Sequence, residues 1–328
     1  MSPYKQIDLS RIKTIPFSSR KSKTQVKDFA QPPSRNDKID DFLKRLPNYF
    51  KINELFELLK AIHQAKGKDK PVIFMFGAHI VKLGLSPVII DLMRNKFITF
   101  LSTNGAGAIH DFEIGMWGKT SEDVKEGLKR GIFGMSEETS RLFNQIPKCS
   151  TDTGQGLGEG IGQFLVQNKA KFRKYSLLAA AFELKIPATV HVGIGTDIVH
   201  QSPHFDPAAT GEATFTDFKI LAEEVSRLHN GGVVLHFGSA VILPEVFLKA
   251  LSVARNIKGK VENFTTANFD MIQHYRPNMN VVFRPTQASG KGYSFTGHHE
   301  IMLPLLAWAL KASKTEDIRR ERKWSVNL

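Results

Sequence analysis

The stretch FITFLSTNGAGAIHDFE, residues 97–113, decides how the chain is read. An apolar run, Phe97 to Leu101, passes through a hydroxyl-rich turn to two closely spaced glycines, Gly105 and Gly107. That is the form of a short buried strand bounded by turn formers. His110, Asp111 and Glu113 follow at once, where a strand of an α/β sheet would deliver the chain to a ligand.

The pattern repeats outward in both directions. PVIFMFG (71–77), ATVHVGI (188–194), VVLHFG (233–238) and NVVFRP (280–285) are apolar runs rich in Val, Ile and Phe, each expected to be a buried strand. Helix-period segments lie between them: SPVIIDLMRNK (86–96), TSEDVKEGLKRG (120–131), GIGQFLVQNKAKFRKYSLLAAAFELK (160–185), TDFKILAEEVSRLHNGG (216–232) and LPEVFLKALSVARN (243–256). Thr120 with Asp123 has capping-box spacing, and Gly131 and Gly231 stand where C-terminal caps belong. Strands alternating with helices predict an α/β fold, a Rossmann-like parallel sheet with helices on both faces. Residues 1–40 are basic and turn-rich and end in the linker-like AQPPSRND, so they are expected to be an extension. Residues 41–328 are expected to form a single α/β domain.

Composition limits the function. Of 328 residues, 41% are hydrophobic and 23% charged, the balance of a globular chain. No apolar run reaches the roughly 20 residues of a membrane helix, and the N-terminus carries no apolar signal core. A single cysteine, Cys149, forbids an internal disulfide and fits a reducing cytoplasm; no local motif marks it as a nucleophile. The net charge is +13, with much of the excess in the N-terminal stretch and in DIRRERKW (317–324). Neither zinc-finger spacing nor an RNA-binding aromatic signature accompanies it, so no nucleic-acid partner is expected.

Four of the five segments that follow the proposed strands combine glycine with small hydroxyl or amide residues, which lets backbone N–H groups approach a phosphate-bearing ligand. The dinucleotide fingerprint GxGxxG is absent. His200, His204 and Asp206 share a proline-bearing loop and His298, His299 and Glu300 form a second cluster; imidazole with carboxylate suits a divalent metal, but the spacing matches no zinc motif. His191 and His236 fall inside apolar strands and read as core histidines. Lys82 and Lys291 lie near glycine-rich loops, where a lysine holds a phosphate or forms an imine.

Taken together, these loops resemble those of the deoxyhypusine synthase family over roughly residues 70 to 312. FMFGAHIVKLGLSP is similar to the family's first NAD-contacting loop, STNGAGAIHD to its Thr-Thr-Ala-Gly-Gly segment, and IPATVHVGIGTDI to its strand ending in Thr-Asp. HFGSAVILPEVFLKALSVAR resembles the glycine-rich turn and helix, and HHEIMLPLLAWAL the closing segment. The resemblance implies a homotetramer that uses NAD. The chemistry it implies is transfer of an aminoalkyl group from a polyamine to an amine acceptor through an enzyme lysine, with no net redox change. It puts Gly77, Ala78, Thr103, Asn104, Gly105, Gly107, Asp111, Asp197, Gly238, Ser239, Thr286 and Glu300 at the cofactor.

The chain departs from the family at the chemistry. In place of the family's Trp-Gly-Lys it reads QASGKGYSFTGHHE, with Lys291 the nearest lysine, and the family's active-site histidine falls on Pro244, beside Glu245. Of the polyamine-binding carboxylates only Glu212 looks retained. The expected reaction is therefore a related transfer on a different small amine of the polyamine class, not deoxyhypusine synthesis itself. Lys291 is the candidate imine-former; Glu212, Glu245, His298 and His200 are candidates for acid, base or ammonium-binding roles. Two other readings stand beside it: a metal-dependent hydrolase using His200, His204 and Asp206, and a non-catalytic family member that binds NAD or a polyamine.

Overall fold

The computed structural model describes residues 3–312, and DIRRERKW lies outside them. The N-terminal segment makes three separate 3-10 turns, Leu9–Arg11, Phe17–Ser19 and Val26–Asp28, none with a buried residue. Helices α1 (Ile39–Arg45) and α2 (Phe50–Gly67) precede strand β1 (Val72–Phe76). Helices α3 (Ala78–Lys82) and α4 (Ser86–Arg94) lead to β2 (Phe100–Asn104). Then come α5 (Gly105–Trp117), α6 (Val124–Arg130), α7 (Glu137–Thr153), α8 (Leu157–Gln167), α9 (Leu177–Leu184) and β3 (Ala188–His191). The chain continues through α10 (Pro207–Ser226), β4 (Val233–Phe237), α11 (Ile242–Lys258) and β5 (Thr265–Asp270). Helical turns over 275–286, β6 (Lys291–Thr296) and α12 (His299–Ala312) complete it.

All pairings are parallel, in the order β3-β2-β1-β4-β5-β6. The protein is thus an α/β molecule with a Rossmann-like sheet. Successive residues of a strand face opposite sides, and here both sides are covered. Val72, Phe74 and Phe76 enter one apolar core, while Ile73 and Met75 enter a second, with Phe247 and Phe264. Such strands read as unbroken apolar runs because neither face meets water.

Three local expectations are corrected. NVVFRP is not a strand: residues Asn278–Phe283 form a π-type turn, with Asn280 buried and bonded to Glu245 and Arg284. An apolar run this short does not by itself separate strand from helix. The last two strands are instead TTANFD and KGYSFT, the second inside a stretch read as a glycine-rich loop. Phe237, Phe269 and Phe295 stand in register on β4, β5 and β6, and their rings stack at 4.5 and 4.7 Å, which fixes the pairing. Finally, α10 ends with Arg227 as its C-cap, so Gly231 belongs to the turn beyond; Gly131 does cap α6, which starts from Asp123.

Candidate functional site

The strand order reverses direction between β1 and β4, and an open sheet of this kind binds ligands beyond the carboxyl ends of its strands at that point. Gly77 and Gly238 lead the chain off these two strands. A β-carbon on Gly77 would run into the carbonyl of Gly238, so the two backbones touch where side chains would hold them apart. Gly238 also has φ +64°, a conformation that favours glycine. Ser239 is buried beside it and its hydroxyl accepts from Leu243 N.

One place along the same edge, α5 begins directly at the end of β2. TNGAGAIHDFE is therefore the end of a strand and the first turns of a helix, with no loop between. Asn104 is the N-cap, its Oδ1 accepting from Gly107 N at 2.8 Å. Ala106, Ile109, His110, Glu113 and Trp117 fall on one face of α5 by their three- and four-residue spacing. This face lines a cavity of about 740 Å³, closed by the loop after β3, by Lys82 of α3, and by the segment from Lys119 to Thr139. It is a size suited to a small organic ligand.

The cavity is acidic although the chain is basic. Glu113, Glu122, Glu138 and Asp197 line it against Lys82 and Lys119. Asp197 is the most withdrawn, its side chain 6% exposed, and its Oδ2 has no hydrogen-bond partner. Burial pushes this carboxyl up to about 6, opposed in part by the Thr196 hydroxyl. The carboxylate packs against Gly105, where a β-carbon would collide with it. His110 is pushed down to about 4, first by burial and then by the charge of Lys82, so its ring is neutral at physiological pH. Glu113 accepts from Thr120 Oγ1 and, at 3.0 Å, from Thr139 Oγ1.

The residues expected from the sequence are spread around the molecule. Gly77, Ala78, Gly238 and Ser239 lie at the strand-order reversal, and Asn104, Gly105 and Asp197 at the head of α5. Thr103 is buried and donates to Phe76 O at 2.9 Å, and a β-carbon on Gly107 would strike the Thr103 hydroxyl. Asp111 faces inward: fully buried, it accepts from Leu177 N, Leu178 N and Ser176 Oγ, and so anchors the start of α9. Its placement at a cofactor is corrected by that geometry. Thr286 donates to Val282 O in the turns before β6, and Glu300 lies in the first turn of α12 with exposed His298 3.9 Å away.

Lys291 is the largest displacement from expectation. It opens β6, paired with Thr265 at the start of β5, which puts it at the amino edge of the sheet, and its ammonium is paired with Glu57 at 2.6 Å. Glu212 is exposed on α10. Glu245 is engaged by Lys249, by Arg276 and by Asn280. None of these three lines the cavity, nor does His298. The proposed metal ligands are likewise separated by their own partners. His200 Nδ1 accepts from Gly195 N and Asp197 N, His204 lies 3.8 Å from Glu137, and Asp206 caps α10. Among the described residues no group of three or more His, Cys, Asp or Glu could hold a metal ion. Nor, among them, is any helix long and apolar enough to cross a membrane.

His110 and Glu113 stood out in the sequence beside the glycines but carried no assigned role, and Thr120, Thr139 and Lys119 did not stand out as site residues. The signal for the first two was the helical spacing of Ala106, Ile109, His110, Glu113 and Trp117, which appears only if α5 starts at Gly105.

No protein-family model matches the chain, and no curated protein matches its sequence. Solved structures do match in fold. An LOR/SDH-type protein of Methanococcus maripaludis S2 is 13% identical, with a TM-score of 0.50 over 80% of this chain and 70% of that one. AgrE, solved in a ternary complex with ornithine and NAD+, is also 13% identical at a TM-score of 0.50, over 81% of this chain. The chain spans about a third of AgrE, 34% of its length. An Entamoeba histolytica chain assigned as a deoxyhypusine synthase is 11% identical at a TM-score of 0.48, covering 87% of this chain and 97% of that one. What this chain has in common with the first two is the α/β fold.

Proposed function

We propose that the protein is an NAD-dependent enzyme acting on a small cationic amine, in a transfer reaction of the deoxyhypusine synthase type. The observation that carries this reading is the acidic cavity at the carboxyl edge of the sheet, beside the strand-order reversal, in a chain of net charge +13. A desolvated ammonium needs matched anions, and Glu113 and Glu138 supply them. AgrE offers a fold-level analogy, since its complex holds an amine-bearing ligand together with NAD+.

The residues present fit the cofactor. Asp197, whose Oδ2 makes no hydrogen bond and lies 4.0 Å from His200 Nε2, is an acceptor suited to a ribose hydroxyl. Gly238, half-buried at the reversal point beside Gly77, lies where a pyrophosphate is ordinarily held. NAD, when bound, accepts and returns a hydride. The chain's own part is to orient the amine with carboxylates, to shield it from water between α5 and the Lys119–Thr139 segment, and to present a nucleophile. Lys82 lines the cavity and Lys291 does not, so the imine-forming role passes from Lys291 to Lys82.

Calorimetric titration with NAD, alone and then with spermidine present, tests the reading. Binding of NAD that spermidine alters, followed by a new amine product in the mass spectrum, is the expected result. Absence of NAD binding at millimolar concentration overturns it. Binding of both ligands without product would identify a binding protein on this fold.

A further inference from the structure

The cavity contains a chain of hydrogen bonds whose protons can be counted. Thr120 has one hydroxyl proton and two neighbours: Glu113 Oε2, to which it donates, and His110 Nδ1 at 2.6 Å. A carboxylate accepts and has no proton to give. The second carboxylate oxygen is taken by the Thr139 hydroxyl. With the Thr120 proton committed to Glu113, the contact with His110 is a hydrogen bond only if the imidazole is the donor. His110 therefore carries its proton on Nδ1, and because the ring is neutral, Nε2 is left as a bare acceptor in a ring that lines the cavity.

The chain ties together three parts of the structure. His110 and Glu113 are one turn apart on α5, Thr120 lies in the loop after it, and Thr139 lies in the first turn of α7. Carboxylates line the same cavity, among them Glu138. Anionic and neutral acceptors together complement a group that brings several N–H donors and a positive charge.

We infer that His110 is a specificity-determining residue, held by Glu113 and Thr120 as a hydrogen-bond acceptor for the protonated primary amine of the substrate. It acts by accepting a hydrogen bond and takes no proton from the ammonium. Glu113, Thr120 and Thr139 are positioning residues. The inference rests on the amine reading above and assigns the residue that recognises the amine.

The test combines a nitrogen-15 spectrum of histidine-labelled protein with spermidine titration. The His110 signals are those lost in His110→Gln. In the ligand-free wild type they should show a protonated Nδ1 and a bare Nε2, and spermidine should shift the Nε2 signal. Thr120→Val should let the tautomer redistribute and should weaken spermidine binding about ten-fold or more, the effect of a lost hydrogen bond to a charged group. Thr120→Ser, which keeps the hydroxyl, should restore both. A wild-type His110 protonated on Nε2 overturns the inference even if Thr120→Val fails to fold. So does a His110→Phe variant, which has no acceptor, that binds spermidine as the wild type does, and that result leaves the amine reading standing. A wild type that takes up no spermidine overturns the amine reading and the ligand assigned to His110, while the spectrum still judges the hydrogen-bond chain separately.

Discussion

Asp197 holds a carboxyl group where the fold favours the neutral form. Its folded-state value of about 6 stands above the ordinary 3.8 because burial disfavours the charge. Between those values the folded chain binds the extra proton. The stabilising contribution is therefore complete below about pH 4 and is lost as pH rises through about 6. Asp197→Asn should be more stable than the wild type at neutral pH, by on the order of 2 kcal/mol. In urea denaturation its stability should vary less between pH 4 and 6, and calorimetry should show weaker binding of NAD or spermidine. A less stable variant at pH 7.5 would refute burial as the controlling influence. His110 gives the opposite sign: its value lies near 4, below the ordinary 6.5, so protonation in acid works against the fold. Lys82→Met should raise its midpoint, followed by magnetic resonance titration, but not to 6.5, because burial is the larger cause.

Helix α5 owes its position to Asp111 on its inner side as much as to Asn104 at its start. Asp111→Ala would strip the acceptor from Leu177 N, Leu178 N and Ser176 Oγ, all buried. A loss of about 2–4 kcal/mol is expected in denaturant melts, with NAD binding retained where the variant is folded. Here the limits of the sequence are clear. The first four strands were legible because each is a run of buried, mostly apolar residues, as in VIFMF. TTANFD and KGYSFT were not, since their Thr, Asn and Gly residues mask the pattern, and the ring stack that ties them to the sheet joins residues distant in the chain. The outer face of α5 was readable in principle from spacing alone. Its partners were not: Thr139 reaches Glu113 from 26 positions away, and nothing local announces it.

At the scale of the whole molecule, strand direction separates what proximity to glycine had joined in the sequence. Lys291 and the cavity lie at opposite edges of one parallel sheet and near its opposite ends. Lys291→Ala should leave spermidine and NAD binding unchanged. It should alter stability by no more than about 1 kcal/mol, as expected for an exposed pair such as Lys291–Glu57. A variant that folds but no longer binds either ligand would bring Lys291 back to the site. The acidic cavity within a chain of charge +13 has a kinetic consequence. A cation arriving from bulk solution is repelled by the molecule as a whole before it feels the carboxylates. Salt screens distant charges first, over about 8 Å at physiological ionic strength, and touches the buried contacts least. Entry should therefore quicken as salt is added, the reverse of ordinary electrostatic steering, and the lifetime of the complex, more than the rate of encounter, would govern affinity.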